Sequence, residues 1–247
     1  MADVFLDLWG VLADSRKMKP AYRQRAAELL CTRHGGSVET WLRAHDVAAS
    51  WYEEHMAQPE TWEKGTWIEV VGRADSENII RMFREAGVSR PKDPHGFSKA
   101  LDLEVMAGID VAFPEARHAV ARLRKAGHRV FVSTNATESN ARGALMGARL
   151  LAEVDGVITG ESQNANKTSA EYWRGIVDRL GAHPRRSFVV DDRMEYLKAA
   201  ALVGFQCLHL DREGRHPPSA MPVYVEATLK SLAGLPQYLA TAGPARA

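Results

Sequence analysis

The sequence is poor in cysteine, holds no long apolar run and has no excess of charge of one sign. Cys31 and Cys207 are its two cysteines. They lie far apart and match no metal-ligand spacing, so two reduced thiols are expected rather than a disulfide framework or a thiolate centre. No segment approaches the ~20 apolar residues of a membrane-spanning helix. The opening MADVFLDLWG lacks the basic start and apolar stretch of a signal peptide. A cytoplasmic protein with no membrane partner is expected. Lys plus Arg number 32 against 31 Asp plus Glu, which gives no electrostatic basis for binding nucleic acid or an anionic surface. Internal repeats and low-complexity tracts are also missing.

What is present is a chain of 247 residues, 45% hydrophobic. That suffices to bury a core in one large domain, or in a domain with an inserted subdomain. Short apolar runs read as strands: VFLDL at 4–8, RVFVSTN at 129–135, DGVITG at 155–160, SFVVDD at 187–192, GFQCLHL at 204–210 and, more weakly, VYVE at 223–226. Helical patterns separate several of them. PEARHAVARLRKAG places Ala116, Ala119, Val120 and Leu123 on one face before a glycine stop, and SAEYWRGIVDRLG and EYLKAAALVG behave alike. Apolar strands alternating with helices predict an α/β fold, a doubly wound parallel sheet covered on both faces. Residues 15–110 differ. AYRQRAAELLCTRH, SVETWLRAHDVAASWYEEHM and DSENIIRMFREAG read as helices, four tryptophans (41, 51, 62 and 67) fall here, and no strand is convincing. The expected organisation is a Rossmann-like core of 1–14 and 111–247 with a helical subdomain of 15–110 inserted after the first strand. The tail TAGPARA reads as frayed.

Ligands of such sheets bind at the C-terminal ends of the strands. Three predicted strands end there in polar groups: the first near Asp7, the second in Ser133-Thr134-Asn135, the fourth in Asp191-Asp192. Lys167 precedes the helix before the fourth. Each signal alone has a bland alternative. Asp7 or the Asp191-Asp192 pair can cap a turn, Thr134-Asn135 can N-cap the next helix, and a lone lysine is usually solvated. Together they describe a site. Carboxylates from two strand ends suit a hard cation such as Mg²⁺. A hydroxyl, backbone amides at a helix N-terminus and a lysine suit a small anionic substrate. Asp7 is then the candidate nucleophile.

These four ordered motifs resemble the haloacid dehalogenase-like (HAD) hydrolase superfamily. The resemblance covers about 1–14 and 111–230. Asp7 in DLWGV matches the family nucleophile, Thr134 in VFVSTN the phosphate-binding hydroxyl with Asn135 beside it, Lys167 in NKTSAEYW the motif lysine, and Asp191-Asp192 in FVVDD the acidic pair. FPEARHAVARLRKAG resembles the helix before the second motif, with Glu115 replacing a glycine. Asp7 stands 127 positions before Thr134, whereas Thr134 stands 33 before Lys167, so the insertion follows the first motif. In the family that position carries a helical cap that closes over the site. The resemblance implies Mg²⁺ held by Asp7, the backbone carbonyl of Trp9 and Asp192, with Asp191 as a further candidate ligand.

Trp9 departs from the pattern. The family's phosphatases carry a second aspartate there for proton transfer, a role closed to an indole at neutral pH and typically worth about 10²–10⁴-fold. Haloacid dehalogenases resemble the chain in having an aromatic at this place, but need no metal and have a Ser/Asn-rich fourth motif. Schiff-base relatives use a cap lysine, and none of Lys17, Lys19, Lys64, Lys92 and Lys99 has a telling context. The expected function is hydrolysis of a small phosphorylated or related anionic metabolite through Asp7 and Mg²⁺, with Lys167 as a second catalytic residue. A cap group among His45, Glu54 and His55 is a candidate base. Two alternatives remain open at this stage: a metal-independent 2-haloacid dehalogenase-like hydrolase, and a non-catalytic binding protein on the same fold.

Overall fold

The structure, a computed structural model, describes residues 1–217 and 220–242. Its centre is an all-parallel sheet of six strands: β1 (Asp3–Leu6), β2 (Arg129–Thr134), β3 (Gly156–Thr159), β4 (Ser187–Asp191), β5 (Gln206–Leu210) and β6 (Val225–Leu229). Their spatial order is β3-β2-β1-β4-β5-β6. The chain builds outward from β1 to β3, returns to the centre, and builds the other way. The switch point therefore lies between β1 and β4, where a ligand crevice opens at the strands' C-terminal ends.

Alternation of side chains sorts the strands into two cores. Val4, Leu6, Val130, Val132, Phe188, Val190, Leu208 and Leu210 face one, shared with α6 (Ala116–Lys125) and α7 (Glu138–Gly147). Phe5, Phe131, Val189 and Cys207 face the other, shared with α9 (Ala170–Leu180) and α10 (Met194–Val203). Both faces are apolar because helices cover both, which is why the strands read as continuous apolar runs. The sixth strand begins two residues later than VYVE suggests. A register shift between Cys207 and Leu208 sets its pairing, and Tyr224 packs beneath the second core instead. The TAGPARA tail falls mostly on 243–247, outside the described residues; Thr241 and Ala242 close α11 (Leu235–Ala242).

Between β1 and β2 lie α1 (Ser15–His34), α2 (Val38–Ala57), the single-turn α3 (Pro59–Trp62), α4 (Trp67–Glu85) and α5 (Pro94–Ala107), with no strand among them. They enclose a third core in which Trp41 and Phe83 meet edge to face, 5.1 Å between centroids, among Ala26, Leu30, Ile79, Met82 and Leu101. The two connections to the sheet run side by side. Asp14 N donates to Val111 O at 2.8 Å and Phe113 N to Leu12 O at 2.9 Å. Among the described residues no helix is long and apolar enough to cross a membrane.

The helical insertion rests on the sheet domain through a close helix pair, α5 on α7. A Cβ on Gly143 would sit 2.8 Å from the Leu103 carbonyl oxygen, and one on Gly147 would sit 2.0 Å from that of Ile109. Two glycines one helical turn apart thus let the backbones touch. Gly147→Ala would push a methyl into main chain that has no rotamer to yield. We expect a loss of about 1–3 kcal/mol, read as a lowered midpoint in denaturant unfolding; an unchanged midpoint would show that the contact is looser than described.

Candidate active site

Strand ends bring the predicted residues together. Asp7 follows β1 directly, its amide donating to Val190 O at 3.0 Å, and Asp191 ends the neighbouring β4. Lys167 arrives from the loop between α8 (Gly160–Gln163) and α9. Its ammonium is wholly buried and donates to Asp7 Oδ1 at 2.8 Å, Asp191 Oδ2 at 2.6 Å and Ser133 O at 2.6 Å. Three donors meet three acceptors, so the cation is saturated. Burial disfavours its charge, but Asp191 and Asp7 outweigh burial and hold the ammonium protonated.

The lysine's backbone is fixed as firmly. Lys167 N donates to Asn135 Oδ1 at 3.1 Å, and Trp173 Nε1 donates to Lys167 O at 3.1 Å. Asn135, expected to touch substrate, thus spends its carbonyl oxygen on positioning Lys167. Thr134 is buried at the end of β2, and the N-cap of α7 is Thr137, whose hydroxyl accepts from Asn140 N at 3.3 Å. Thr134 and Asn135 are therefore not the helix cap; the Ala136 amide donates to Thr134 Oγ1 at 3.4 Å, and residues 135–137 line a neighbouring cavity.

Asp191 is held on both oxygens, by Lys167 and by Arg193 N at 2.9 Å. Asp192 lies beside Gly10, which adopts a left-handed φ of 91°; a Cβ there would sit 2.2 Å from Asp192 Oδ2. Glycine is required at that turn both for its backbone angle and for the space the carboxylate occupies. Asp192 has its outer face toward solvent, yet partial burial and the charge of Asp7 raise its pKa to about 6. Asp7, Asp191 and Asp192 each offer an oxygen within 4.8 Å of the others. Crowded hard-oxygen donors of this kind fit Mg²⁺. Among the described residues the Trp9 carbonyl receives no backbone hydrogen bond outside the helices and strands, while its indole is half-buried against the first core.

Residues 4–204 match the family of haloacid dehalogenase-like hydrolases. The chain belongs to that family. It is 24% identical over 106 residues to (S)-2-haloacid dehalogenase 4A of Burkholderia cepacia, covering 43% of this chain and 46% of that enzyme, so the chain spans about half the length of this relative. Solved structures of similar fold include the 2-haloacid dehalogenase from Pseudomonas syringae pv. Tomato DC3000, at 16% identity and TM-score 0.66 over 97% of this chain and 99% of that one. The HAD phosphatase from Thermococcus onnurineus matches at 17% identity and TM-score 0.64 over all of both chains. The family's solved structures of similar fold thus include both a phosphatase and a dehalogenase.

Residues that sequence reasoning missed surround this HAD-like centre. Arg212 holds the turn after Asp7: its guanidinium donates to Gly10 O at 3.0 Å and Val11 O at 2.8 Å, pairs with Glu115 at 2.5 Å and lies over Phe113. A cavity of about 760 Å³ opens between the helical insertion and the 135–140 loop, with Tyr22, Tyr52, Asp75, Asp102, Asn135 and Thr137 in its wall. Tyr22 Oη donates to Asp102. Burial and the charge of Asp102, opposed by a hydrogen bond from Tyr52, raise the Asp75 carboxyl to about 7; burial, opposed by Tyr22 and Asn140, raises Asp102 to about 6. The signal was an acid within an apolar helical stripe: Asp75 stands four residues from both Val71 and Ile79, and Asp102 four from Met106. Of the candidate bases, His45 lines the cavity; Glu54 is exposed and His55 stacks on Trp51 at 4.9 Å, neither in the cavity wall.

Two outcomes follow. Lys167→Met leaves Asp7 and Asp191 facing each other without a counter-charge, and is expected to cost about 3–5 kcal/mol in denaturant unfolding; a loss below about 1 kcal/mol would refute the buried pairing. The carboxyl of Asp75 titrates near 3.8 unfolded and about 7 folded. The unfolded state alone ionises in that window, so wild-type stability falls as pH rises through it. Asp75→Asn should flatten that slope, measured as unfolding midpoint against pH.

Proposed function

We propose that the chain is a Mg²⁺-dependent hydrolase of a small phosphorylated or closely related anionic metabolite, with Asp7 as nucleophile. The observation that carries this reading is the buried Lys167 bridging Asp7 and Asp191, with Asp192 alongside. Lys167 fixes one oxygen of Asp7 and lowers the repulsion between nucleophile and anion. Mg²⁺ held by Asp7, Asp192 and the Trp9 carbonyl would neutralise the phosphoryl oxygens. Thr134 and the amides of the 135–137 loop receive the anionic group at the start of α7. The other Asp7 oxygen attacks phosphorus, the bond to the leaving oxygen breaks, and that oxygen takes a proton. Water then attacks phosphorus of the aspartyl phosphate, releasing phosphate and restoring the carboxylate.

Trp9 supplies no proton in this scheme. The cavity wall offers groups that titrate near neutrality, Asp102 at about 6 and Asp75 at about 7, in the range that suits proton transfer. The insertion, residues 15–110, serves as a cap whose Tyr22, Tyr52, Asp75 and Asp102 select the substrate's leaving group.

A second reading is favoured by Trp9 and by the relative named a 2-haloacid dehalogenase: Asp7 displaces halide from carbon, and water hydrolyses the ester. One panel separates them. Phosphate release from phosphometabolites that needs Mg²⁺ and falls at least about 10³-fold in Asp7→Asn supports the phosphoryl reading. Halide release from 2-haloacids that persists in EDTA would replace it.

A further inference from the structure

Beyond the hydrolytic centre, β5 carries a polar group that the reaction leaves unused. His209 is 1% exposed, and its Nδ1 has no hydrogen-bond partner among the described residues. The ring also neighbours the backbone of Asp192 and is pushed by burial toward its neutral form, in which one nitrogen is a bare lone pair. A buried acceptor left unpaired is costly. Thr228, the register partner of His209 on β6, has a buried hydroxyl that is likewise without a partner among the described residues. Asp211 and His216 lie close by, and His209, Asp211 and His216 each offer a ligand atom within 4.8 Å of the others.

We propose that His209, Asp211 and His216 form a site for a transition-metal dication, of which Zn²⁺ is the best match. Two imidazoles and one carboxylate suit a borderline ion rather than Mg²⁺. A neutral imidazole is the form in which a histidine ligates a metal. Asp211 is 5% exposed and kept ionised: burial opposes its charge, but the amides of His216, Arg215 and Gly214 prevail and bring its pKa to about 2. The amide contacts, 3.0 Å from Arg215 and 2.9 Å from His216, also fold the 211–216 loop back over the carboxylate. The His216 ring stands edge to face on His209, 5.1 Å between centroids, and its Nδ1 lies 3.9 Å from Asp211 Oδ2. Ligands about 2.1 Å from a tetrahedral ion lie about 3.4 Å apart, so the exposed His216 ring must swing inward by about an ångström. The fourth position faces a pocket of about 280 Å³ that also reaches Gly10 and Asp192, with room for water. Lys230 opposes a cation here, and Arg16, Arg212 and Arg215 also stand in the pocket wall. Binding itself does not rest on the phosphoryl reading of Asp7.

The test uses the full chain stripped with EDTA, titrated with Zn²⁺ by calorimetry in excess Mg²⁺. One Zn²⁺ per chain is expected, with Co²⁺ giving the visible ligand-field bands of a low-coordinate site. His216→Ala, a change at an exposed residue, should weaken binding about tenfold or more, and His209→Gln likewise. Lys230→Gln should tighten it, which a purely structural role for the histidines would not produce. Asp192→Asn should leave the stoichiometry intact. Absence of binding at micromolar Zn²⁺, wild-type affinity in both histidine variants, or loss of the Zn²⁺ in Asp192→Asn while the histidine variants keep it, would overturn the proposal.

Discussion

The buried ammonium of Lys167 is the constraint around which the sheet end is organised. Two carboxylates on adjacent central strands repel one another in a medium poor in water, and a wholly buried lysine is equally costly alone. Each is tolerable only because the other is present, at 2.8 and 2.6 Å. The Ser133 carbonyl takes the third proton, which ties a third strand to the same point. Asn135 and Trp173 then clamp the lysine's own backbone. The centre is thus a set of mutual dependencies spanning β1, β2 and β4. Each side chain is oriented before any substrate arrives, which is the condition under which electrostatic catalysis is efficient.

The sheet was legible in the sequence because its strands obey one rule. Apolar residues on both faces, ended by a polar residue, are hard to arrange by accident in a helix. Asp7, Thr134, Lys167 and Asp191 could be picked out for the same reason, since each interrupts or follows an apolar run at a strand's end. Elements held by shape escaped. α7 is built from small residues and two glycines, so its propensity is poor, and it exists because α5 needs a surface close enough to touch. α5 and α11 were equally hidden. The cavity wall was out of reach because its members come from α1, α2, α4, α5 and α7. Only packing reveals that the acids at 75 and 102 face a common space rather than solvent.

Trp9 shows how one position can separate fold from chemistry. Its backbone belongs to the turn that every strand contact around Asp7 requires, so the geometry is indifferent to the side chain. The side chain's place in the first core adds packing where relatives add a proton carrier. Burial of Asp75 and Asp102 has the opposite effect across the crevice, moving two ordinary acids into the range where protons are exchanged at neutral pH.

The paired connections at 12–14 and 111–113 carry a mechanical consequence. Two short segments hydrogen-bonded to each other tie the helical unit to the sheet along one line, and the α5–α7 contact ties it at a second place. Arg212 grips the paired segments, touching Gly10 and Val11 on one and stacking on Phe113 of the other. The Gly10 and Val11 carbonyls belong to the turn that positions Asp7 and Asp192, so the line that ties the helical unit to the sheet is also a wall of the carboxylate cluster, and a change in one has a short mechanical path to the other.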